Sequence, residues 1–189
     1  MIIESPMNQI FAPGGVLEKH FDNYEYREPQ LLLAQKVWEV LESREESIVA
    51  AEAPTGVGKT FALLIPALLA AIPAEEKILV LTAGITLQEQ LIRKDLPRLG
   101  EVLGLHFSYG LLKGRNNYVC LRRALEMEHE GFLSFGDSGA ASMYLSEWLQ
   151  RTETGDLSEL KLPSDSPIFP RVSAQMRGCL GHRCPYREQ

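Results

Sequence analysis

Residues 48–60 read I-V-A-A-E-A-P-T-G-V-G-K-T, and residues 61–71 continue F-A-L-L-I-P-A-L-L-A-A. A short apolar run ends in a turn of small residues, and the turn closes on Gly58-Lys59-Thr60 before a helix-like stretch. Strand, glycine-bearing turn and helix in that order form the setting of a phosphate-binding loop. Ala53, Pro54, Thr55, Gly56, Val57, Gly58, Lys59 and Thr60 make up the loop. Its backbone N–H groups and the positive end of the new helix converge on a phosphate. Lys59 reaches the β- and γ-phosphates of ATP, and the Thr60 hydroxyl sits on Mg²⁺. The first position of the G-x-x-x-x-G-K-[ST] pattern is Ala53 rather than glycine. Alanine tolerates positive φ less well than glycine, so Ala53 is expected at the strand end with ordinary dihedrals.

Working outward, strands and helices alternate. Residues 27–43 read as a helix with Pro29 in its first turn and Leu33, Val37, Val40 and Leu41 on an apolar face. Residues 47–52 form the first strand, K-I-L-V-L-T at 77–82 a buried second one, and residues 105–109 a candidate third. Between the last two, T-L-Q-E-Q-L-I-R-K-D-L reads as a helix with Leu87, Leu91 and Ile92 inward. This spacing predicts a doubly wound α/β domain with a parallel sheet. After Gly110 no comparable strand follows. Residues 120–130 and 140–151 read as helices, and residues 152–170 as a polar, proline-rich loop. The organisation expected is therefore 1–110 and 111–189. Asp137, in F-L-S-F-G-D, lacks a β-branched run before it and reads as a loop.

No apolar run approaches the length of a membrane span, and the N-terminus lacks the pattern of a signal peptide. A cytoplasmic chain without a membrane partner is expected. The net charge of −6 argues weakly against nucleic acid, but the distribution matters more. Lys113, Arg115, Arg122 and Arg123 occur with no acid between them, and Arg171, Arg177, Arg183 and Arg187 crowd the C-terminal end. Either cluster alone reads equally as solvated surface. The odd cysteine count argues against a disulfide framework. Cys179 and Cys184 sit in G-C-L-G-H-R-C-P-Y, a loop able to curl two thiolates toward a metal or cluster, or simply to bury them.

Y-E-Y-R-E-P-Q, A-E-A-P-T-G-V-G-K-T, L-T-A-G-I-T-L-Q-E-Q-L-I-R-K-D-L-P, L-K-G-R-N-N-Y-V-C and C-L-G-H-R-C-P-Y occur in that order between residues 24 and 186, and the likeness they carry extends over about residues 11–189. Together they resemble the N-terminal part of the superfamily-2 DNA helicases that carry an iron–sulfur cluster, the DinG and XPD group, with the bacterial DinG-like branch the nearer. The resemblance implies a RecA-like P-loop motor domain over 1–110 and a mainly helical, incomplete cluster domain over 111–189. It implies that Gln30 reads the adenine edge, with Arg27 beside it. An amide suits that task because it donates and accepts at once. Thr86, Gln88 and Gln90 would contact the backbone of single-stranded or forked DNA, although as residues they read equally as a polar helix face. Lys113 and Arg115, in L-K-G-R-N-N-Y-V-C, would join them. Cys120, Cys179 and Cys184 would supply three of four ligands to a [4Fe–4S] cluster.

The family's fourth cysteine, its D-E-A-H box and its second motor domain are not in these 189 residues. The chain is therefore expected to be the N-terminal piece of a longer, monomeric, ATP-dependent DNA helicase, one that holds nucleotide without hydrolysing it. Two other readings stay open. One is a small P-loop adaptor with a zinc-stabilised appendage, in which His182 completes a Cys₃His site. The other, a small-molecule kinase, has no acidic acceptor motif after the second strand to support it.

Overall fold

The computed structural model describes residues 5–43, 47–129, 138–163 and 165–187. Asp137 and Glu130 lie outside these residues, so the loop reading of the first and the helix end at the second have no structural counterpart. The chain divides into two units, Met1–Leu111 and Leu112–Gln189, each with its own apolar core.

The first unit is built on helices. Helix α1 (Pro6–Phe11) begins where Ser5 Oγ accepts from the Met7 N–H at 3.3 Å and Pro6 has no N–H to satisfy. Its inward side chains Met7, Ile10 and Phe11 recur at helical spacing and are buried. Gly15 opens α2 (Val16–His20) because a Cβ there would lie 2.7 Å from the Ala12 carbonyl oxygen. The Tyr24 hydroxyl donates to the Phe11 carbonyl at 2.5 Å, which sets the approach to α3 (Glu28–Ser43).

Helix α3 packs on α1 and on α4 (Lys59–Ala71). Its buried residues are Gln30, Leu31 and Ala34, with Leu33 and Trp38 packed against the core. Val37 and Val40 are only half-buried and Leu41 is exposed, so the inward face is turned from the one expected. The row covered by α4, and not the most apolar row, decides which side chains are enclosed. Helices α5 (Ile85–Gln90) and α6 (Leu96–Leu103) are joined by a π-helical turn, Leu91–Asp95. The turn inserts an i→i+5 step that resets the facing of the two helices. Leu91, Leu99 and Val102 point inward while Leu87 stays exposed. Gly104, at φ 63°, ends α6 in a left-handed cap.

The expected parallel sheet is not formed among the described residues, which are mostly helical. Residues 47–52 and 77–82 carry no ladder, and the bridges present, Tyr118–Asp156 and Val119–Ser173, lie in the second unit. Ile48 is 96% exposed, Leu79 82% and Leu81 83%. The third segment differs, because Leu105 and Phe107 pack against the core. Parallel strands are joined to their partners through long crossovers, and these three segments do not partner one another.

In the second unit, Val119 N–H donates to the Gly155 carbonyl at 2.9 Å and Cys120 N–H to that of Val172 at 2.7 Å. Residues 118–120 are thereby held between the loop at Gly155 and the helical turn that ends at Val172. Around them pack α7 (Leu121–His129), α8 (Ser138–Leu149) and the short α9 (Phe169–Val172). Ala124, Met127, Leu145, Trp148, Leu157, Leu160, Ile168 and Val172 make the core. Three of these, Leu157, Leu160 and Ile168, come from the stretch expected as a polar loop. Their isolated spacing carries no periodic signal, which is why that reading missed them.

Candidate functional site

The loop at residues 53–60 joins the extended segment at 47–52 to α4. Gly56 and Gly58 take φ of 84° and 87°, left-handed values that a side chain resists, and Gly58 caps α4. Among the described residues Glu75 is the one non-glycine with positive φ, so Ala53 has ordinary backbone. Lys59 opens α4 and turns its ammonium back, donating to the Ala53 and Pro54 carbonyls at 2.7 Å each. Gln30, 5% exposed, donates from Nε2 to the Gly58 carbonyl at 3.0 Å. Arg27 donates from Nη1 to the Gly56 carbonyl at 2.8 Å and from Nη2 to Glu25 Oε2 at 2.7 Å. Thus Arg27, Gln30 and residues 53–60, far apart in the sequence, meet at one place. The Thr60 side chain is half-buried at the start of the same helix.

Helix α5 carries the three residues expected at DNA. Thr86 and Gln90, four apart, share an exposed face. Gln88 is half-buried, donates weakly to the Thr82 carbonyl at 3.4 Å and leaves its Oε1 buried without a partner. Gln90 Nε2 donates to the buried Asp95 carboxylate at 3.0 Å.

In the second unit Cys120, Cys179 and Cys184 line one concavity of about 730 Å³ together with Arg115, Arg122, Arg123, Arg177 and Arg187. All three thiols are free. Arg122 pairs with Glu126 at 2.6 Å and reaches the Gly178 carbonyl at 3.1 Å. Its pKa is raised, first by the hydrogen bond to Glu126 and, against some burial, by the charges of Glu126, Cys120 and Cys184. Arg123 donates to the Ser173 and Pro170 carbonyls at 2.8 and 3.0 Å. The two arginines thus tie α7 to the loops around the thiols. His182 is hydrogen-bonded to Arg187. Among the described residues no three His, Cys, Asp or Glu side chains are close enough together to hold a metal ion. The donor chemistry suits a thiolate-bound group, but the ligand set is not gathered.

Lys113 is enclosed within the second unit. Its side chain is 2% exposed, with Nζ 2.7 Å from Asp156 Oδ2 and 3.0 Å from Ser158 Oγ. Its N–H donates to the Tyr118 hydroxyl at 2.8 Å. The enclosed ammonium, expected at DNA from the sequence, is spent inside the unit. Arg115 is exposed on the concavity.

No protein-family model matches the chain. Individual relatives do. It is 34% identical over 186 residues to the ATP-dependent DNA helicase YoaA of Haemophilus influenzae, a match over 98% of this chain and 28% of that protein. The Escherichia coli protein of the same name is 36% identical over 184 residues, 95% of this chain and 27% of the relative. The 3'-5' exonuclease DinG of Bacillus subtilis is 34% identical over 153 residues, 81% of this chain and 16% of the relative. The chain belongs to the YoaA/DinG group. It spans 16–28% of the length of these curated relatives. The matches to the two YoaA proteins run over nearly the whole chain, so both units belong to the YoaA/DinG likeness.

Three carboxylates at this YoaA/DinG chain's candidate sites had no role assigned to them from its sequence. Glu25 orients Arg27, Asp95 holds Gln90, and Asp156 neutralises Lys113. Each is a carboxylate whose partner is named only by the fold. Among the described residues no helix is long and apolar enough to cross a membrane.

Proposed function

We propose that this chain is the nucleotide-holding part of an ATP-dependent DNA helicase. The observation that carries the reading is the loop at 53–60, with two left-handed glycines and with Gln30 and Arg27 brought to it from α3 and the segment before it. Phosphates would lie on the loop's free N–H groups at the start of α4. Lys59 would leave the Ala53 and Pro54 carbonyls for the β- and γ-phosphates, and the Thr60 hydroxyl would ligate Mg²⁺. Gln30 spends one N–H on Gly58. Its second N–H and its carbonyl oxygen remain for the donor and acceptor edge of adenine. The chain contains no D-E-A-H box, so it is expected to bind ATP and not to turn it over. The exposed segments at 47–52 and 77–82 would gain their ladders from further strands of the whole protein.

Thr86, Gln88, Gln90 and Arg115 would meet the backbone of single-stranded or forked DNA. Lys113 would instead brace the second unit. Cys120, Cys179 and Cys184 would give thiolates to a [4Fe–4S] cluster, which when bound would cross-link the loops around α7. The protein would act as a cytoplasmic monomer.

Titrating labelled ATP tests the nucleotide reading. Lys59→Ala is expected to weaken binding about tenfold, the loss of one charge-assisted contact. Equal affinity for both forms would sink it. Iron and zinc analysis of the longer protein, purified anaerobically, tests the cluster. Iron that falls on Cys120→Ser is expected, whereas stoichiometric zinc without iron favours the adaptor.

A further inference from the structure

We infer that Glu25 and Arg27 are positioning residues that aim the phosphate loop, acting through the Gly56 carbonyl; this rests on the nucleotide reading above. A trans peptide is planar, with its C=O and N–H pointing in opposite directions. Holding the Gly56 carbonyl on Arg27 therefore turns the N–H of Val57, in the same peptide unit, away from Arg27 and toward the open side of the loop. The Gly58 carbonyl is held in the same manner by Gln30 at 3.0 Å and by the Ala62 N–H at 3.2 Å, which turns out the N–H of Lys59. Two N–H groups aimed to one side across left-handed glycines form an anion-binding nest.

The two peptides differ in how they are secured. The Gly58 carbonyl begins the hydrogen bonding of α4 and would keep its direction without Gln30. The Gly56 carbonyl lies in the loop, where no Cβ contact confines it, and Arg27 reaches it from 29 residues away. Glu25 Oε2 takes the other arm of the guanidinium and leaves Nη1 for the carbonyl. The Arg27 and Glu25 side chains are 42% and 74% exposed, so the pair contributes little to stability and its removal leaves the fold intact.

A ligand without a base separates this role from contact with adenine. Binding of magnesium tripolyphosphate and of magnesium ATP is measured by calorimetry for the wild type, Arg27→Ala, Glu25→Gln and the double variant. Arg27→Ala is expected to weaken both ligands by the same factor, about tenfold, the worth of one charge-assisted hydrogen bond. Glu25→Gln is expected to weaken both by about threefold, and to add nothing once Arg27 is gone. Loss of ATP binding with tripolyphosphate unchanged overturns the proposal, as does full additivity of the two substitutions. Lys59→Ala keeps the two readings distinct. Tripolyphosphate binding that falls with Lys59→Ala and not with Arg27→Ala overturns this inference alone, and binding that ignores both overturns the nucleotide site as well.

Discussion

Asp156→Asn is expected to destabilise the second unit by about 3 kcal/mol at neutral pH. The Lys113 ammonium is enclosed, and its 2.7 Å contact with the Asp156 carboxylate balances the charge. Removing one member of such a pair leaves the other charge uncompensated, which costs about 3–5 kcal/mol. The lower figure applies because the Ser158 hydroxyl still accepts from Lys113 at 3.0 Å and Asp156 is itself 14% exposed. Asp156 also accepts from the Ser158 N–H at 2.9 Å and so caps the turn at Leu157–Glu159.

The pH dependence has a definite sign. Burial pushes the Asp156 carboxyl up, but the hydrogen bonds from Lys113 and Ser158 and the Lys113 charge outweigh it, and the net pKa lies below the ordinary 3.8. Glu159 shifts the same way, led by the Thr154 hydroxyl, with Thr152 and Trp148 adding to it against some burial. A depressed folded pKa gives stability that is present above the unfolded value and is lost as pH falls through the folded one. The gap between wild type and Asp156→Asn should therefore be full at neutral pH and close in acid, below the ordinary carboxyl value. Urea unfolding followed by Trp148 fluorescence in a Trp38→Phe background measures it. A gap of under about 1 kcal/mol, typical of a surface pair, or one that does not narrow in acid, would show that the pair is not the brace described.

Gly58→Ala is expected to weaken nucleotide binding by about thirty- to a hundredfold. Two costs combine. An alanine at φ 87° is strained by roughly 1–2 kcal/mol. Its Cβ would also lie 2.2 Å from Gln30 Nε2, so the buried glutamine would have to move and lose its bond to the loop, about 1 kcal/mol more. Gly56→Ala serves as the control. Its φ is 84°, but a Cβ there meets nothing within 4 Å, so it carries the strain alone and should cost about tenfold. Adding Gln30→Ala to Gly58→Ala removes the clash and keeps the strain. The double variant should bind no better than Gly58→Ala, because the Gln30 bond to the loop is absent from both, and should be weaker still by whatever Gln30 gives to the base. Labelled-nucleotide titration checks the series. Equal losses for the two glycine variants would mean that Gln30 does not seat the loop.

The turn at residues 53–60 was legible because its determinants are local. Small residues, two glycines and Gly58-Lys59-Thr60 at fixed spacing specify a left-handed turn into a helix, whatever surrounds them. The order of motifs around it, from Y-E-Y-R-E-P-Q to C-L-G-H-R-C-P-Y, likewise pointed to the DinG-like branch without any coordinates. Helix existence in α3 and α4 followed from periodicity. Which face of α3 is buried did not, because a helical pattern marks an apolar stripe and the partner helix selects the row it covers.

Charge was the least legible property. Lys113 and Arg115 stand two residues apart in one motif, yet one is enclosed and the other lies on the open concavity. The difference is set by Asp156 and Ser158, the latter 45 residues away, and no local pattern encodes a contact at that separation. The strands show the same division. Apolar runs at 47–52 and 77–82 determine extended, water-averse segments, but a ladder is a relation between two segments, and only the tertiary arrangement decides whether a partner lies alongside. The sequence by itself determined the turn at 53–60, the longer helices and the family. The tertiary structure decided which carbonyls the loop presents to Arg27 and Gln30, where each charge is neutralised, and which apolar segments remain uncovered, because each of these depends on groups that meet only when distant parts of the chain pack together.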